Sequence, residues 1–364
     1  MALTTVDQGL LSTNAQYTGF KNRIINGAMQ ISQRNVTSSV TPTAETYTLD
    51  RWSAEMSASS KYSVQQDAGG VTPPVGFIDY LGVTSTSAYS VTSSDFFGIF
   101  QVIEGFNIAD LAWGTASASP VTVSFWVRSS LTGTFGGAIE NSAGNRSYPF
   151  SYTISAANTW EYKTITIPGD TTGTWLTNNG RGITLRFGLG VGSTYSGTAG
   201  SWSGSRFFST TGARSVVGTS GATFYITGVQ LEKGSTATSF DTRSYTTELQ
   251  LCQRYYTKTY LDGVVPGTFA SPTQANAIWS SVPTTNSYPQ IGQWFYPVTM
   301  RAVPTLVIYN PNTGVINSFR GDSDNYSPAS PNSVGNKCVT FYGNNVSVGT
   351  SVFISVQATA NAEL

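Results

Sequence analysis

The sequence contains no histidine at all. That removes the commonest general base, the imidazole of any Ser-His-Asp or Cys-His site, and the usual ligand of transition metals. Cysteine is nearly absent too. Cys252 and Cys338 are the only two, too few for a thiolate zinc cage or a disulfide framework. Charge is scarce. Acidic and basic side chains number 19 each and together make up 10% of the chain, against about 25% in an ordinary globular protein. With zero net charge and no basic run, the chain lacks the cations that nucleic-acid binding needs to neutralise phosphates. Long apolar runs are missing as well. The densest, Phe96 to Ile103, contains Gly98 and Gln101 and is too short to span a bilayer, so no membrane insertion is expected. The first twenty residues have neither a basic n-region nor a long apolar h-region. The chain is therefore expected to be made in the cytoplasm and to leave it, if at all, without a secretion signal.

Ser and Thr fill the gap, at about a quarter of the chain, beside 37 Gly and 13% aromatics. Much of this material alternates. Val121, Val123, Phe125 and Val127 point one way, while Thr122, Ser124, Trp126 and Arg128 point the other. That is the period of a half-buried antiparallel strand. Leu185, Phe187, Leu189 and Val191 repeat it with Arg186 opposite, and Thr164–Ile167 is a shorter copy. Phe224–Ile226 and Val229–Leu231 read as one strand broken by a bulge at Gly228. Many short strands separated by Gly, Ser, Asn and Thr clusters mean a sandwich or barrel. From Tyr245 to Tyr260 there is no Gly or Pro, and Leu249, Cys252 and Tyr256 recur at helical spacing, which predicts a helix.

The expected class is thus mainly β. A polar N-terminal arm (1–44) would precede a β-sandwich (45–242), a linking helix (243–260) and a second β-rich domain (261–364). A helix this short is not stable alone. Leu249, Cys252, Tyr256 and their neighbours should therefore pack against something.

The catalytic inventory is thin. Without histidine the plausible enzyme is a glycosidase with paired carboxylates. The candidate acids are Asp50, Glu55, Glu104, Glu161 and Asp170. Asp50 beside Arg51 and Glu161 near Lys163 read as ion pairs instead. The run Gly321-Asp322-Ser323-Asp324-Asn325 lacks the later glycine and terminal Glu of a calcium loop, so it reads as a solvated turn. No cofactor and no metal are expected. Both cysteines read as small buried hydrophobes. Aromatics among hydroxyls and amides suit sugar binding, where ring faces stack and polar groups meet hydroxyls. Trp126 stands out because it lies on the polar face of its strand. Trp279, Trp294, Tyr296 and Tyr326 are further glycan-binding candidates in turn-dense surroundings.

Several stretches in order along the chain resemble tailed-bacteriophage fibre proteins. Asn22-Arg23-Ile24-Ile25-Asn26-Gly27, Met29-Gln30-Ile31 and Leu49-Asp50-Arg51-Trp52 resemble their N-terminal region. Thr223 to Gly234, followed by Thr238-Ser239-Phe240, is similar to the closing strand of their jelly-roll module, whose layout is like that of carbohydrate-binding modules. Glu248 to Tyr256 resembles the helical joint, and Pro297 to Pro304 with the terminal Ala360 to Leu364 resembles the small β-rich end domain. The resemblance implies a homotrimeric virion protein whose arm attaches to other phage proteins and whose β domains recognise host surface glycan, and it makes Leu249, Cys252 and Tyr256 of the helix the candidates for the oligomer interface. It transfers no catalytic residue. A head or tail decoration protein that binds no glycan, and a polysaccharide depolymerase, are the alternatives.

Overall fold

The structure, a computed structural model, describes residues 21–269, 277–282, 290–321, 328–343 and 352–364. The described chain is mainly β. Its described residues divide into two units, one of residues 21–30, 38–243 and 364, the other of residues 31–37 and 244–363.

The first unit is a β-sandwich of jelly-roll type. One sheet has six strands in the order β1 (Thr46–Tyr47), β2 (Ser53–Met56), β5 (Phe96–Glu104), β10 (Arg181–Val191), β7 (Gly133–Glu140) and β8 (Ser147–Ile154). The other has five, in the order β3 (Tyr62–Gln66), β4 (Leu81–Ser85), β13 (Thr223–Lys233), β6 (Val121–Ser129) and β9 (Glu161–Ile167). Neighbours in both sheets run antiparallel. A short parallel pair, β11 (Ser196–Gly197) and β12 (Ser209–Thr210), lies beside them. The alternation in the sequence fills the interior as expected. Val121, Val123, Phe125 and Val127 of β6 are wholly buried with Leu185, Phe187 and Leu189 of β10.

Gly228 is the bulge. The β13–β6 register shifts between Thr227 and Gln230, and Gly228 sits at φ 62°. A bulge inserts one residue and so exchanges the two faces of a strand. Before it the even-numbered Phe224 and Ile226 face the core; after it the odd-numbered Val229 and Leu231 do.

The polar N-terminal stretch lies differently from a free arm. Its residues 21–30 belong to the sandwich unit and 31–37 to the second unit, while residues 1–20 are outside the described residues. The burial is possible because side-chain amides satisfy the backbone. Asn22 Oδ1 accepts from the amides of Ile24 and Leu231, and its Nδ2 donates to the Val229 carbonyl at 3.1 Å. Gln101 pairs with both backbone groups of Ile25, at 2.9 and 2.8 Å. Asn26 donates to the Asp50 carbonyl and its own carbonyl accepts from the Trp52 indole at 3.1 Å. The two N-terminal motifs thus close on one another, and Asp50, Arg51 and Trp52 form a buried corner.

The second unit contains the single α-helix described, α1 (Tyr245–Gln253), capped by Ser244, whose side chain accepts from the Thr247 amide. The helix ends seven residues before the expected Tyr260. Tyr256–Lys258 instead form strand β14, paired with β20 (Val352–Asn361). Aromatic and β-branched residues favour strand, and a ladder partner was available. β15 (Ile278–Val282) and β17 (Thr305–Tyr309) pair with β20 as well. β16 (Gln290–Phe295), β19 (Cys338–Gly343) and β18 (Ala329–Asn332) make a second, three-stranded sheet. Ile308, Phe319, Phe341, Ile354 and Val356 centre this unit's core.

Cys252 is fully buried and Tyr256 almost so; Leu249 is half-buried. Of the three interface candidates only Leu249 keeps surface to offer, because helix and strand already pack Cys252 and Tyr256 on their own chain.

Candidate functional site: an aromatic groove on the five-stranded sheet

The outer face of β6 carries Trp126, half-buried, directly opposite Tyr162 of β9. Their ring centroids lie 5.4 Å apart at 49°, and Tyr162 is 43% exposed. These two rings floor a groove of about 510 Å³, within the range of small-molecule sites.

Two loops wall it. One, between β3 and β4, brings Val75, Gly76 and Phe77; the other, after β13, brings Ala237 to Phe240 and Thr242. The Phe77 and Phe240 rings meet edge to face at 5.1 Å. Gly228 makes this corner possible. A Cβ there would stand 2.6 Å from Phe77 Cζ, so only glycine lets the ring rest on the strand.

Each wall is anchored. The Trp160 indole donates to the Thr72 carbonyl at 2.9 Å, and the Thr227 hydroxyl donates to the Asp79 carbonyl at 2.8 Å. Tyr80 closes the base of the same loop, donating its hydroxyl to the Ala68 carbonyl and its amide to Asp67 Oδ1. On the other side Glu232 accepts from the Thr238 amide at 2.9 Å and its hydroxyl at 2.7 Å. Gln230 donates to Glu232 and accepts from the Asp241 amide, both at 2.8 Å.

Among the described residues no charged side chain lines the groove. The nearest perturbed group belongs to the wall loop. Burial first, then the neighbouring Asp67 carboxylate with which it shares a hydrogen bond, pushes Asp79 up to about 7. The pair is in hydrogen-bond contact, closer than the roughly 5–9.5 Å that glycoside hydrolysis uses between its carboxyl groups.

The acids singled out from sequence, none of them in this pair, serve packing. Glu55 and Glu140 share one buried guanidinium, Arg186, with Glu55 at 2.9 Å. Burial raises the Glu55 pKa against the pull of Arg186. Glu140 also accepts from Arg206 at 2.6 Å. Glu161 pairs with Lys163 at 2.6 Å, as the sequence suggested. Asp170 takes Arg146 at 2.6 Å and the Trp175 indole at 3.2 Å. Asp50 and Glu104 are buried. Among the described residues no group of three or more Cys, Asp or Glu could hold a metal ion, and no helix is long and apolar enough to cross a membrane.

The remaining aromatic candidates sit in the second unit. Trp279 on β15 is 61% exposed. Trp294 is half-buried and packs edge-on against Tyr296 at 5.0 Å. Tyr296 is core: 7% exposed, with burial raising its pKa. Tyr326 and the Asp322–Asn325 run lie outside the described residues. Of the described aromatic candidates, Trp126 is the one that the structure sets in a groove with further rings. Its partners Tyr162, Phe77 and Phe240 escaped the sequence reading. Tyr162 carried one signal, the same alternation that placed Thr164 and Thr166 on the polar face.

No family model matches the chain, and no curated protein sequence does. Solved structures overlap it in part. The enzymatically active domain of tailspike protein 4 from bacteriophage CBA120 is 12% identical with a TM-score of 0.32, covering 58% of this chain and 21% of its own. A putative sugar-binding protein from Bacteroides thetaiotaomicron is 12% identical with a TM-score of 0.33, covering 58% of this chain and all of its own. The module TmCBM61, solved with β-1,4-galactotriose, is 10% identical with a TM-score of 0.31, covering 59% of this chain and 99% of its own. The chain thus spans about a fifth of the tailspike's length. Overlap this slight carries no function across, and a functional reading has to rest on the groove itself.

Proposed function

We propose that the protein binds glycan through the groove over Trp126 and does not cleave it. One observation carries this reading: two partly exposed rings lie side by side on the floor of an uncharged groove whose rim is rich in hydroxyls. Sugars offer C–H faces to such rings and hydroxyls to such rims. The carboxylates with defined partners bond to cations or to one another, which supports binding without hydrolysis. The order of motifs that resembles phage fibres supports a virion appendage, homotrimeric, that attaches to a phage particle and adsorbs to host surface polysaccharide. Shallow single sites would be individually weak, and three copies per fibre would raise avidity roughly 10²–10⁴-fold.

The test is adsorption and direct binding by Trp126→Ala. Exchange at a half-exposed ring leaves the core intact, so the variant should fold and lose binding to host polysaccharide. Retained binding would remove the groove from the account. New reducing ends released from the polysaccharide, and abolished by replacing one Asp or Glu, would show an enzyme instead.

A further inference from the structure

The groove's chemistry narrows its ligand, given that glycan is what it binds. Five hydroxyl side chains line it among the described residues, Ser124, Tyr162, Thr238, Ser239 and Thr242, but no amide, carboxylate, guanidinium or ammonium side chain does. The planar groups that could bracket two neighbouring sugar hydroxyls are close by yet already committed. Gln230 and Glu232 are buried, with Glu232 accepting from Thr238 and Gln230 holding the Asp241 amide. The one ammonium seen on a wall residue, Lys21, is held by the Ser239 carbonyl at 2.6 Å, so an ionised sugar would lose hydration here with no cation on the described lining to meet it. A plain hexose would turn hydroxyls toward a wall of Val75, Phe77 and Phe240 that offers them no partner. Val75 is fully exposed in this structure, as an apolar group awaiting cover would be.

We infer that the groove selects an uncharged glycan bearing a methyl group, with the sugar ring on Trp126 and Tyr162 and the methyl against the Phe77–Phe240 corner. The methyl can come from a 6-deoxyhexose or from an acetyl substituent. Either replaces a hydroxyl that would go unpaired with a group the wall can cover.

The experiment titrates the full chain with four sets of short oligosaccharides: 6-deoxymannose, N-acetylglucosamine, unsubstituted mannose and glucose, and glucuronate. At least one methyl-bearing set should bind about tenfold tighter than the unsubstituted sugars, the low end of what one buried methylene contributes to discrimination. Which of the two does so identifies the source of the methyl. Phe77→Ala should bring that ratio toward one, with the fold checked by circular dichroism. If plain hexoses or glucuronate bind as well or better, through Trp126, the inference is overturned and the glycan-binding reading stands. If no sugar of any set binds, both fail.

Discussion

Replacing Gly228 with alanine perturbs the groove at its hinge point. Two effects add. At φ 62° an L-residue is in the left-handed region, which costs about 1–2 kcal/mol. The new Cβ also falls 2.6 Å from Phe77 Cζ. That atom is the far end of a side chain on a surface loop, so the ring gives way rather than the strand. Its edge contact with Phe240 is then lost, about 0.5–1.5 kcal/mol more. Gly221→Ala is the control. Gly221 has φ 73°, and a Cβ there meets nothing within 4 Å, so it carries the backbone cost alone. Urea unfolding followed by fluorescence should show Gly228→Ala destabilised more than Gly221→Ala by about 0.5–1.5 kcal/mol. The difference should vanish when Phe77 is also alanine, as a double-mutant cycle would reveal. Glycan affinity should fall for Gly228→Ala and not for Gly221→Ala. If Gly228→Ala costs the same with and without the Phe77 ring, the proposed seating of Phe77 on the bulge is wrong.

Three further outcomes are expected. Asp79→Asn should flatten the pH dependence of stability. The folded carboxyl's pKa, about 7, is above its unfolded value near 3.9, so its contribution is fully present below about pH 4 and lost as pH rises through 7. A urea series from pH 4 to 8 that is unchanged by the substitution would contradict this. Arg186→Met should destabilise the sandwich by about 3–5 kcal/mol, since it strands Glu55 without its cation and leaves Glu140 with Arg206 alone. Glu55 is already raised, so this loss should deepen as pH rises through its folded pKa and shrink in acid, which thermal melts at several pH values would read. Asn22→Ala should cost about 1–3 kcal/mol by orphaning the buried Leu231 amide and Val229 carbonyl, and amide exchange at Leu231 should quicken; unchanged protection would mean that the N-terminal stretch does not hold β13.

The strands were legible because their physics is local. A period of two along Val121–Val127 needs no partner to be recognised, and a glycine breaking the strand at Gly228 announced the bulge. Trp126 was legible for the same reason, as an aromatic on a face otherwise polar. Tyr162, Phe77 and Phe240 were not. β6 and β9 are separated along the chain by β7 and β8 of the opposite sheet, so only pairing could show that Trp126 and Tyr162 meet. Phe77 and Phe240 come from loops 163 residues apart and touch because Gly228 lacks a side chain. The N-terminal stretch misled by its polarity. Asn22 and Asn26 resemble solvated residues in sequence, but in the fold they take the place of a neighbouring strand's backbone. The helix misled at its end, since nothing near Tyr255 breaks a helix, and it was the distant β20 that drew Tyr256–Lys258 into a strand.

The central claim is that Trp126 touches glycan. The most direct measurement is a titration of the full chain with host surface oligosaccharide, following the indole N–H resonances of its eight tryptophans. Trp126 is assigned by the signal that disappears in Trp126→Phe. The account expects the Trp126 indole to move in a saturable way, on the millimolar scale of a weak single site, while the buried Trp52, Trp113 and Trp175 stay still. Movement confined to Trp279 or Trp294, or no movement at saturating sugar, would place recognition elsewhere and contradict it.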